Sequence, residues 1–260
     1  MNEYEASFGL VCGHDHMSSG KNGHDGVDLI EHEDHIVAVV SDGCGSSINS
    51  EVGSKIAAKL VAKEIHSELL DLGDKPLSHV LNNVYRKTLW TLSGLAASID
   101  SENPKEVIDQ FMLFTLVVAI ITKGSTTVVS IGDGFYAIND EITEIGPFPN
   151  NAPPYIMYGA LYPNRGIGNG WTYNFDGMTK DIDSLMIATD GLTYLENSKK
   201  LIPGTDKEFG DISQFWKEDK YFKNKDMIRR RLFLVSKGKP SNPGFLHDDL
   251  ALISIRRKIK

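Results

Sequence analysis

Cysteine is scarce in this chain of 260 residues, in which Cys12 and Cys44 are the only two. Two cysteines are too few for the disulfide framework of a small secreted protein, and their separation does not match a paired zinc-ligand motif. No apolar run reaches the roughly 18 residues that a membrane-spanning helix needs. The first residues, MNEYEASFGL, lack the basic-then-apolar order of a signal peptide. We therefore expect a cytoplasmic protein with no membrane partner.

Basic charge is also in short supply. The chain has 27 Lys and Arg against 35 Asp and Glu, a formal net charge of -8. Binding to a nucleic-acid backbone requires a concentrated positive face. The one basic run, residues 229–231, is typical of a solvated helix face. No nucleic-acid partner is expected.

Internal repeats, low-complexity tracts and Pro- or Ser-rich linkers are absent from the sequence. A chain of this length with 41% hydrophobic residues is large enough to bury one sizeable core. The sequence therefore predicts a single domain over residues 1–260.

The order of predicted elements indicates the fold class. Short β-branched, apolar segments bounded by turn residues predict strands, at residues 6–12, 27–31, 36–41, 111–122, 126–131, 135–139, 171–175, 184–189 and 250–256. Apolar residues at three- and four-residue steps predict helices, at residues 50–72, 77–97 and 226–236. Strand runs interrupted by a helical pair favour a layered α+β fold, a β-sandwich flanked by helices, over a doubly wound parallel sheet.

Three acidic turns share one pattern, in which an apolar strand ends on an Asp followed by Gly, and a fourth turn places two carboxylates just before the last strand. They are Asp42-Gly43, Asp133-Gly134, Asp190-Gly191 and Asp248-Asp249. A strand end holds a carboxylate in place, and a following glycine allows a sharp turn. Carboxylate and carbonyl oxygens are the ligands that hard divalent cations prefer. If the turns converge, the pattern predicts a metal site.

Convergence of these turns would be costly without a cation. Two carboxylates 4 Å apart repel by about 4 kcal/mol at an effective dielectric near 20. Several such pairs rival a whole folding stability of roughly 5–15 kcal/mol. Taken singly, however, Asp-Gly is a common turn dipeptide. The sequence alone does not show whether the turns meet in space.

In their order and spacing, four segments resemble the metal-dependent protein phosphatases of the 2C type, and within them the compact bacterial branch. The segments are VVSDGCGSS, SIGDGFYAI, IATDGL and HDDLALISI. The resemblance implies a central β-sandwich of two mainly antiparallel sheets flanked by helical pairs. It also implies hydrolysis of phosphoserine and phosphothreonine in proteins by water activated at a binuclear Asp-rich site.

The resemblance assigns roles to individual residues. Asp42 matches the family's bridging carboxylate, and Gly43 matches the residue whose carbonyl binds one metal. Asp190 and Asp248 match the ligands of the other metal, and Asp249 stands where the family has Asn. Asp133 matches the acid that helps to hold a third metal in bacterial members. The expected cofactors are two or three divalent cations, Mn²⁺ or Mg²⁺.

The N-terminal motif departs from the family pattern. Asp25 corresponds to the acid of a Glu-Asp pair, and His24 takes the place of the Glu. Lys21 is the nearby candidate for the family's phosphate-binding Arg, which a Lys replaces as a point charge rather than as a bidentate fork. His24 or His14 is a candidate proton donor, because imidazole titrates near neutral pH.

Three other interpretations stay open at this point. Cys44 follows Asp42-Gly43, but the chain lacks the phosphate-cradling loop of a Cys-based phosphatase. Five histidines between His14 and His35 are compatible with a zinc or iron hydrolase, or simply with solvated turns. The chain could also be a catalytically weakened phosphatase-like module that binds a phosphoprotein or kinase. The expected partner of an enzyme is a phosphorylated protein, opposed by a Ser/Thr kinase.

Overall fold

The computed structural model describes residues 1–73, 75–164, 170–196, 199–238 and 243–258. The described residues form strands β1 (Tyr4–Val11), β2 (Gly26–Glu31), β3 (His35–Ser41), β4 (Leu116–Thr122), β5 (Ser125–Ile131), β6 (Gly134–Ile138), β7 (Glu141–Ile145), β8 (Thr172–Met178), β9 (Ser184–Ala188) and β10 (Leu250–Arg257).

The helices lie between and after these strands. They are α1 (His14–Ser18), α2 (Ser50–Leu70), α3 (Leu77–Ile99), α4 (Pro104–Phe111), α5 (Tyr158–Leu161), α6 (Gln214–Lys217), α7 (Lys220–Lys223) and α8 (Met227–Ser236). Short 3₁₀ turns occur at Pro149–Asn151, Thr179–Asp181 and Asp190–Leu195.

The strands build two five-stranded sheets. The first has the order β1-β10-β9-β6-β7 and the second the order β2-β3-β4-β5-β8. Neighbouring strands in both sheets pair antiparallel. The α+β sandwich predicted from the sequence is confirmed.

Strand β3 shows how the layers are packed, because every residue in it is buried. Val37 and Val39 belong to a core shared with α2 and α3, whereas Ala38 and Val40 belong to a core shared with the first sheet. Side chains alternate between the two faces of a strand, so a strand covered on both faces must be apolar throughout. The uninterrupted apolar run IVAVV therefore identifies a central strand.

Helices cover both outer faces of the sandwich. The buried face of α2, with Ala58, Val61 and Ile65, packs with residues of α3 and α4 over the second sheet. Residues of α6, α7 and α8, such as Phe215, Tyr221 and Leu232, pack over the first sheet. The outer helices thus shield the sheets and leave the strand ends open at the edge of the sandwich.

Two local predictions differ from the structure. Residues 111–122 were predicted as one strand, but Phe111 ends α4 and the strand begins at Leu116. A short apolar run does not separate helix from strand by its periodicity, and Pro104 starts the helix in its first turn. His14 and His16, for which solvated turns are one interpretation, lie in the short helix α1.

In the part of the chain that the structure describes, no helix combines the length and the apolar character that crossing a bilayer requires.

Candidate metal centre

The four acidic turns meet at one edge of the sandwich. Asp42 follows β3, Asp133 lies between β5 and β6, Asp190 follows β9 and Asp248 precedes β10. All four line one cavity of about 530 Å³, together with Gly43. The convergence that the sequence alone left open is therefore present in the fold.

The carboxyl groups in this cavity repel one another. Burial, followed by the charges of Asp25, Asp190 and Asp248, raises the pKa of Asp42 well above its usual range. Burial, followed by Asp248 and Asp133, raises the pKa of Asp190 to about 7. The pKa values of Asp133 and Asp248 are also raised, mainly by burial. Such raised values mark a site that needs positive charge.

Asp25 lies beneath the cavity rather than on its wall. Its side chain is 1% exposed, and the hydroxyl of Thr189 donates a hydrogen bond to Oδ2 over 2.6 Å. Its carboxyl group is also in hydrogen-bonding contact with that of Asp42. Burial and then the charge of Asp249 raise the pKa of Asp25 well above its usual range. Asp25 thus forms a buried extension of the acidic cluster.

The turn after β3 is held from two sides. The backbone N–H of Thr115 donates to the carbonyl of Asp42 over 2.8 Å, and the N–H of Asp42 donates to Oγ1 of Thr115 over 3.3 Å. At Gly43, an added Cβ would lie 2.8 Å from Oγ of Ser50 and 2.9 Å from its carbonyl oxygen. Only glycine allows α2 to start this close to the turn.

Asp249 organises the N-terminal side of the site. Its Oδ1 accepts the backbone N–H of Gly13 over 2.6 Å, and Oδ2 accepts the backbone N–H of His24 and the Nδ1–H of His16, the latter over 2.8 Å. The side chain is 2% exposed. A buried carboxylate with three donors is well satisfied. The sequence marked Asp249 only as a departure from the family's Asn, and its role as a common acceptor was missed.

His24 and Lys21, the other predicted catalytic residues, occupy different environments. His24 lines the cavity, is 4% exposed and has no hydrogen-bond partner at Nδ1 among the described residues. Burial, and then the neighbouring His16, lower its pKa. Lys21 is exposed and is not part of the cavity wall, although its charge adds to the lowering at His24. Their catalytic roles stay predictions.

Several cavity residues were not singled out by the sequence reasoning. His16 lines the cavity with its ring centroid 4.3 Å from that of His24, and Tyr155, Tyr158 and Asp109 line it as well. The clustering of five histidines between His14 and His35 is the signal in the sequence that could have selected His16. In α1, His14 instead lies near the carbonyl of Ser236, with Nδ1 3.3 Å away, and does not line the cavity.

The donor set fits hard divalent cations. Carboxylates from four turns and the open backbone at Gly43 provide oxygen ligands, which Mg²⁺ and Mn²⁺ prefer. Gly43 itself has no side chain that could cover its carbonyl oxygen. Repulsion among carboxylates at this density is relieved by bound cations.

Comparison with known protein families agrees with the resemblance seen in the sequence. The sequence profile described as Protein phosphatase 2C matches residues 12–224. Among curated protein sequences, none matches this chain at a significant level.

Similar solved structures show the same fold. A bacterial serine phosphatase shares 15% identity over 98% of both chains, with a TM-score of 0.55. The catalytic domain of the serine threonine protein phosphatase PstP shares 13% identity over 97% of both chains, also with a TM-score of 0.55. Stp1 from Staphylococcus aureus shares 16% identity over 98% of this chain and 95% of its own, with a TM-score of 0.50. At these identities the structures report the fold, and the profile match over most of the sequence shows that the chain belongs to the protein phosphatase 2C family.

Proposed function

We propose that this protein hydrolyses phosphoserine and phosphothreonine in a protein substrate, using divalent cations held by the acidic cavity. The observation that carries the proposal is the meeting of Asp42, Asp190 and Asp248 in one cavity, where burial and mutual charge raise the pKa of each. Buried carboxyl groups that raise one another's pKa are typical of sites that bind cations or transfer protons.

The proposed ligands form two groups and a further acid. Asp42, the Gly43 carbonyl and the buried Asp25 would hold one cation, and Asp42 would also contribute to a second. Asp190 and Asp248 would hold the second cation. Asp133 also lines the cavity and would contribute to a third site. Mn²⁺ and Mg²⁺ are the proposed ions, and the structurally similar PstP domain was crystallised with two manganese ions.

The chain's own residues would bind and orient the phosphoprotein. Bound divalent cations supply the positive charge that attracts a phosphate and lowers the pKa of water. His16, oriented by Asp249, and His24 are the imidazoles on the cavity wall, and Tyr155 and Tyr158 offer hydroxyl and ring surface for the substrate. The lowered pKa of His24 favours its neutral form at pH 7, in which one ring nitrogen donates and the other accepts.

The proposal includes the setting of the enzyme. Residues 1–260 would act as one catalytic domain, working in the cytoplasm on a phosphoprotein whose phosphate is added by a Ser/Thr kinase. The number and type of cations, the substrate and the opposing kinase are all parts of this proposal.

One observation favours the second candidate, a phosphatase-like module that binds a phosphoprotein with little turnover. Among the described residues that line the cavity there is no Lys or Arg, so phosphate would depend on cations and imidazoles alone. The acidic ligand set, however, has no use in a module that only binds phosphate.

Hydrolysis of p-nitrophenyl phosphate and of a phosphothreonine peptide tests the choice. The purified protein is assayed with Mn²⁺, Mg²⁺ or Zn²⁺, and after EDTA treatment. Asp42→Asn is the test variant, and Asp206→Asn, at an exposed position outside the cavity, is the matched control. We expect turnover with Mn²⁺ or Mg²⁺ that is lost in Asp42→Asn and retained in Asp206→Asn.

The same assay separates the two candidates. Peptide binding without turnover under all metal conditions would support the binding module. Full activity in Asp42→Asn would overturn the metal assignment itself.

A further inference from the structure

Three histidines from three different elements meet at the far end of β3, away from the acidic cavity. His32 lies in the turn between β2 and β3, His35 begins β3, and His66 lies on α2. Their ring centroids are 4.8 Å (His32 to His35), 5.0 Å (His35 to His66) and 5.4 Å (His32 to His66) apart. Asp42 lies seven residue steps after His35, and at about 3.3 Å per step along the strand the cluster is roughly 20 Å or more from the acidic centre.

Contacts within the cluster bring ring nitrogens together. Nε2 of His35 and Nδ1 of His66 are 2.8 Å apart, so that one donates to the other. His35 is 3% exposed, and burial together with the neighbouring His32 and His66 lowers its pKa to about 4. His35 is therefore a neutral imidazole at physiological pH, which is the form that binds a metal.

The spacing of the three rings suits a single ion. In a tetrahedral zinc site with Zn–N distances of about 2.0–2.1 Å, the ring centroids of two histidine ligands lie roughly 5 Å apart. The three observed separations cluster around that value. Imidazole nitrogen selects borderline cations such as Zn²⁺ over the hard cations that suit the acidic cavity.

We propose that His32, His35 and His66 form a binding site for a borderline divalent transition-metal ion, with Zn²⁺ as the best-fitting member of this class. The site is separate from the acidic centre and independent of the proposed phosphatase activity. The hydrogen-bonded pair of His35 and His66 supplies two ligands once their shared proton moves to a distal ring nitrogen. The ring of His32, which is 30% exposed, packs beside that pair, with its centroid 4.8 Å from that of His35 and 5.4 Å from that of His66.

Carboxylates beside His32 complete the arrangement. Ligand atoms of His32, Glu33 and Asp34 all lie within 4.8 Å of one another. Oδ2 of Asp34 is 4.0 Å from Nδ1 of His32, so a negative charge lies beside the imidazole that would bind the cation. Glu33 or a water molecule provides the fourth ligand.

A purely structural pair does not account for the third ring. Mutual hydrogen bonding satisfies His35 and His66 without help. His32 has its own local bond, since Nδ1 accepts the backbone N–H of Asp34 over 3.3 Å. Nothing in that turn requires the imidazole of His32 to lie against the other two rings.

Zinc titration of the tag-free protein tests the proposal. Calorimetry is run with Mg²⁺ in excess, which occupies the hard oxygen ligands of the acidic cavity, and Co²⁺ titration provides visible bands that report nitrogen coordination. The test variants are His66→Gln and His32→Gln, both at partly exposed positions, and the control is His79→Gln, at an exposed position on α3. Far-UV circular dichroism confirms that each variant is folded.

We expect the unmodified protein, His79→Gln and Asp42→Asn each to bind one equivalent of Zn²⁺. The affinity should fall about 100-fold or more in His66→Gln and His32→Gln, because loss of a direct ligand exceeds the 10–100-fold cost of losing an outer partner. Zinc binding that is equal in His66→Gln and the unmodified protein would overturn the proposal. So would the absence of zinc binding in the folded, unmodified protein, or its loss in Asp42→Asn alone.

Discussion

The two ends of β3 concentrate titratable groups of opposite kinds. At the end that leads to Asp42, buried carboxyl groups raise one another's pKa. At the end that begins with His35, burial and the neighbouring imidazoles lower the pKa of His35. In both places burial and neighbouring charges favour the neutral forms of these groups. The comparison shows that the ligand atoms determine which cation suits each cluster. Oxygen ligands favour hard cations, and nitrogen ligands favour borderline cations.

The largest expected effect separates the two ends by activity. Asp42→Asn should lower Mn²⁺-dependent hydrolysis of a phosphothreonine peptide by at least ~10²-fold, since a direct ligand is lost. His66→Gln should change the same rate less than about twofold, because the histidine cluster lies far from the cavity. Steady-state kinetics on both variants check this difference. Comparable losses in the two variants would show that the ends of β3 do not act independently.

The next effect concerns stability and pH in the presence of EDTA. The folded-state pKa of Asp190 is raised from 3.8 to about 7, so between these values the native protein binds more protons than the unfolded chain. This contribution is therefore fully favourable below about pH 4 and is lost as the pH rises to about 7. His35 has the reverse slope, because its pKa falls from 6.5 to about 4 and its contribution is lost on acidification.

Comparing a variant of Asp190 with the unmodified protein separates the contribution of Asp190 from that of His35. In EDTA at pH 8, Asp190→Asn should be more stable than the unmodified protein by about 2–4 kcal/mol, and the gain should vanish near pH 4. Urea unfolding at both pH values measures it. With Mg²⁺ in excess the order should reverse, because the variant loses a ligand. A gain that is the same at pH 4 and pH 8 would contradict the raised pKa of Asp190.

A smaller effect lies within the turn that joins β3 to the cavity. Gly43→Ala should destabilise the protein by about 1–3 kcal/mol, since its Cβ would meet Ser50 at 2.8 Å and something must shift. Gly45→Ala is the matched control, because no atom lies within 4 Å of the added Cβ. Thermal unfolding of both variants compares them. Equal losses would mean that the close approach of α2 does not constrain this turn.

The parts of the fold that could be read from the sequence are those with a local signature. A buried central strand such as β3 needs apolar residues on both faces, and the turn at Asp42 needs a glycine after it. Both requirements leave marks in consecutive residues. The boundary between α4 and β4 was misjudged because a continuous apolar run carries no period that distinguishes helix from strand.

Features that depend on packing between distant segments were not readable. Asp249 accepts hydrogen bonds from Gly13, His16 and His24, which are more than 220 positions away in the chain. His66 lies on a helix 31 positions from His35, and the amphipathic pattern of α2 gives no reason to select it. No local pattern encodes such contacts, so the histidine cluster emerges only from the folded chain.

The smallest expected effect concerns Lys21, the residue predicted to replace the family's phosphate-binding Arg. Its exposed position outside the cavity wall makes it a rim charge, and exposed charges contribute about 0.2–1 kcal/mol. Lys21→Ala should therefore raise KM for a phosphothreonine peptide by roughly 1.5- to 5-fold and leave kcat unchanged, with a dependence on salt.

Lys59→Ala, which removes another exposed lysine, is the matched control and should change neither constant. A fall of kcat by 100-fold in Lys21→Ala would show that Lys21 moves into the cavity when substrate binds. The acidic centre would then bind phosphate through the Lys21 ammonium group as well as through metal ions. This contact would be a further difference from the histidine cluster at the other end of β3. No effect on KM at low salt would instead leave phosphate recognition to bound cations and to the imidazoles of His16 and His24.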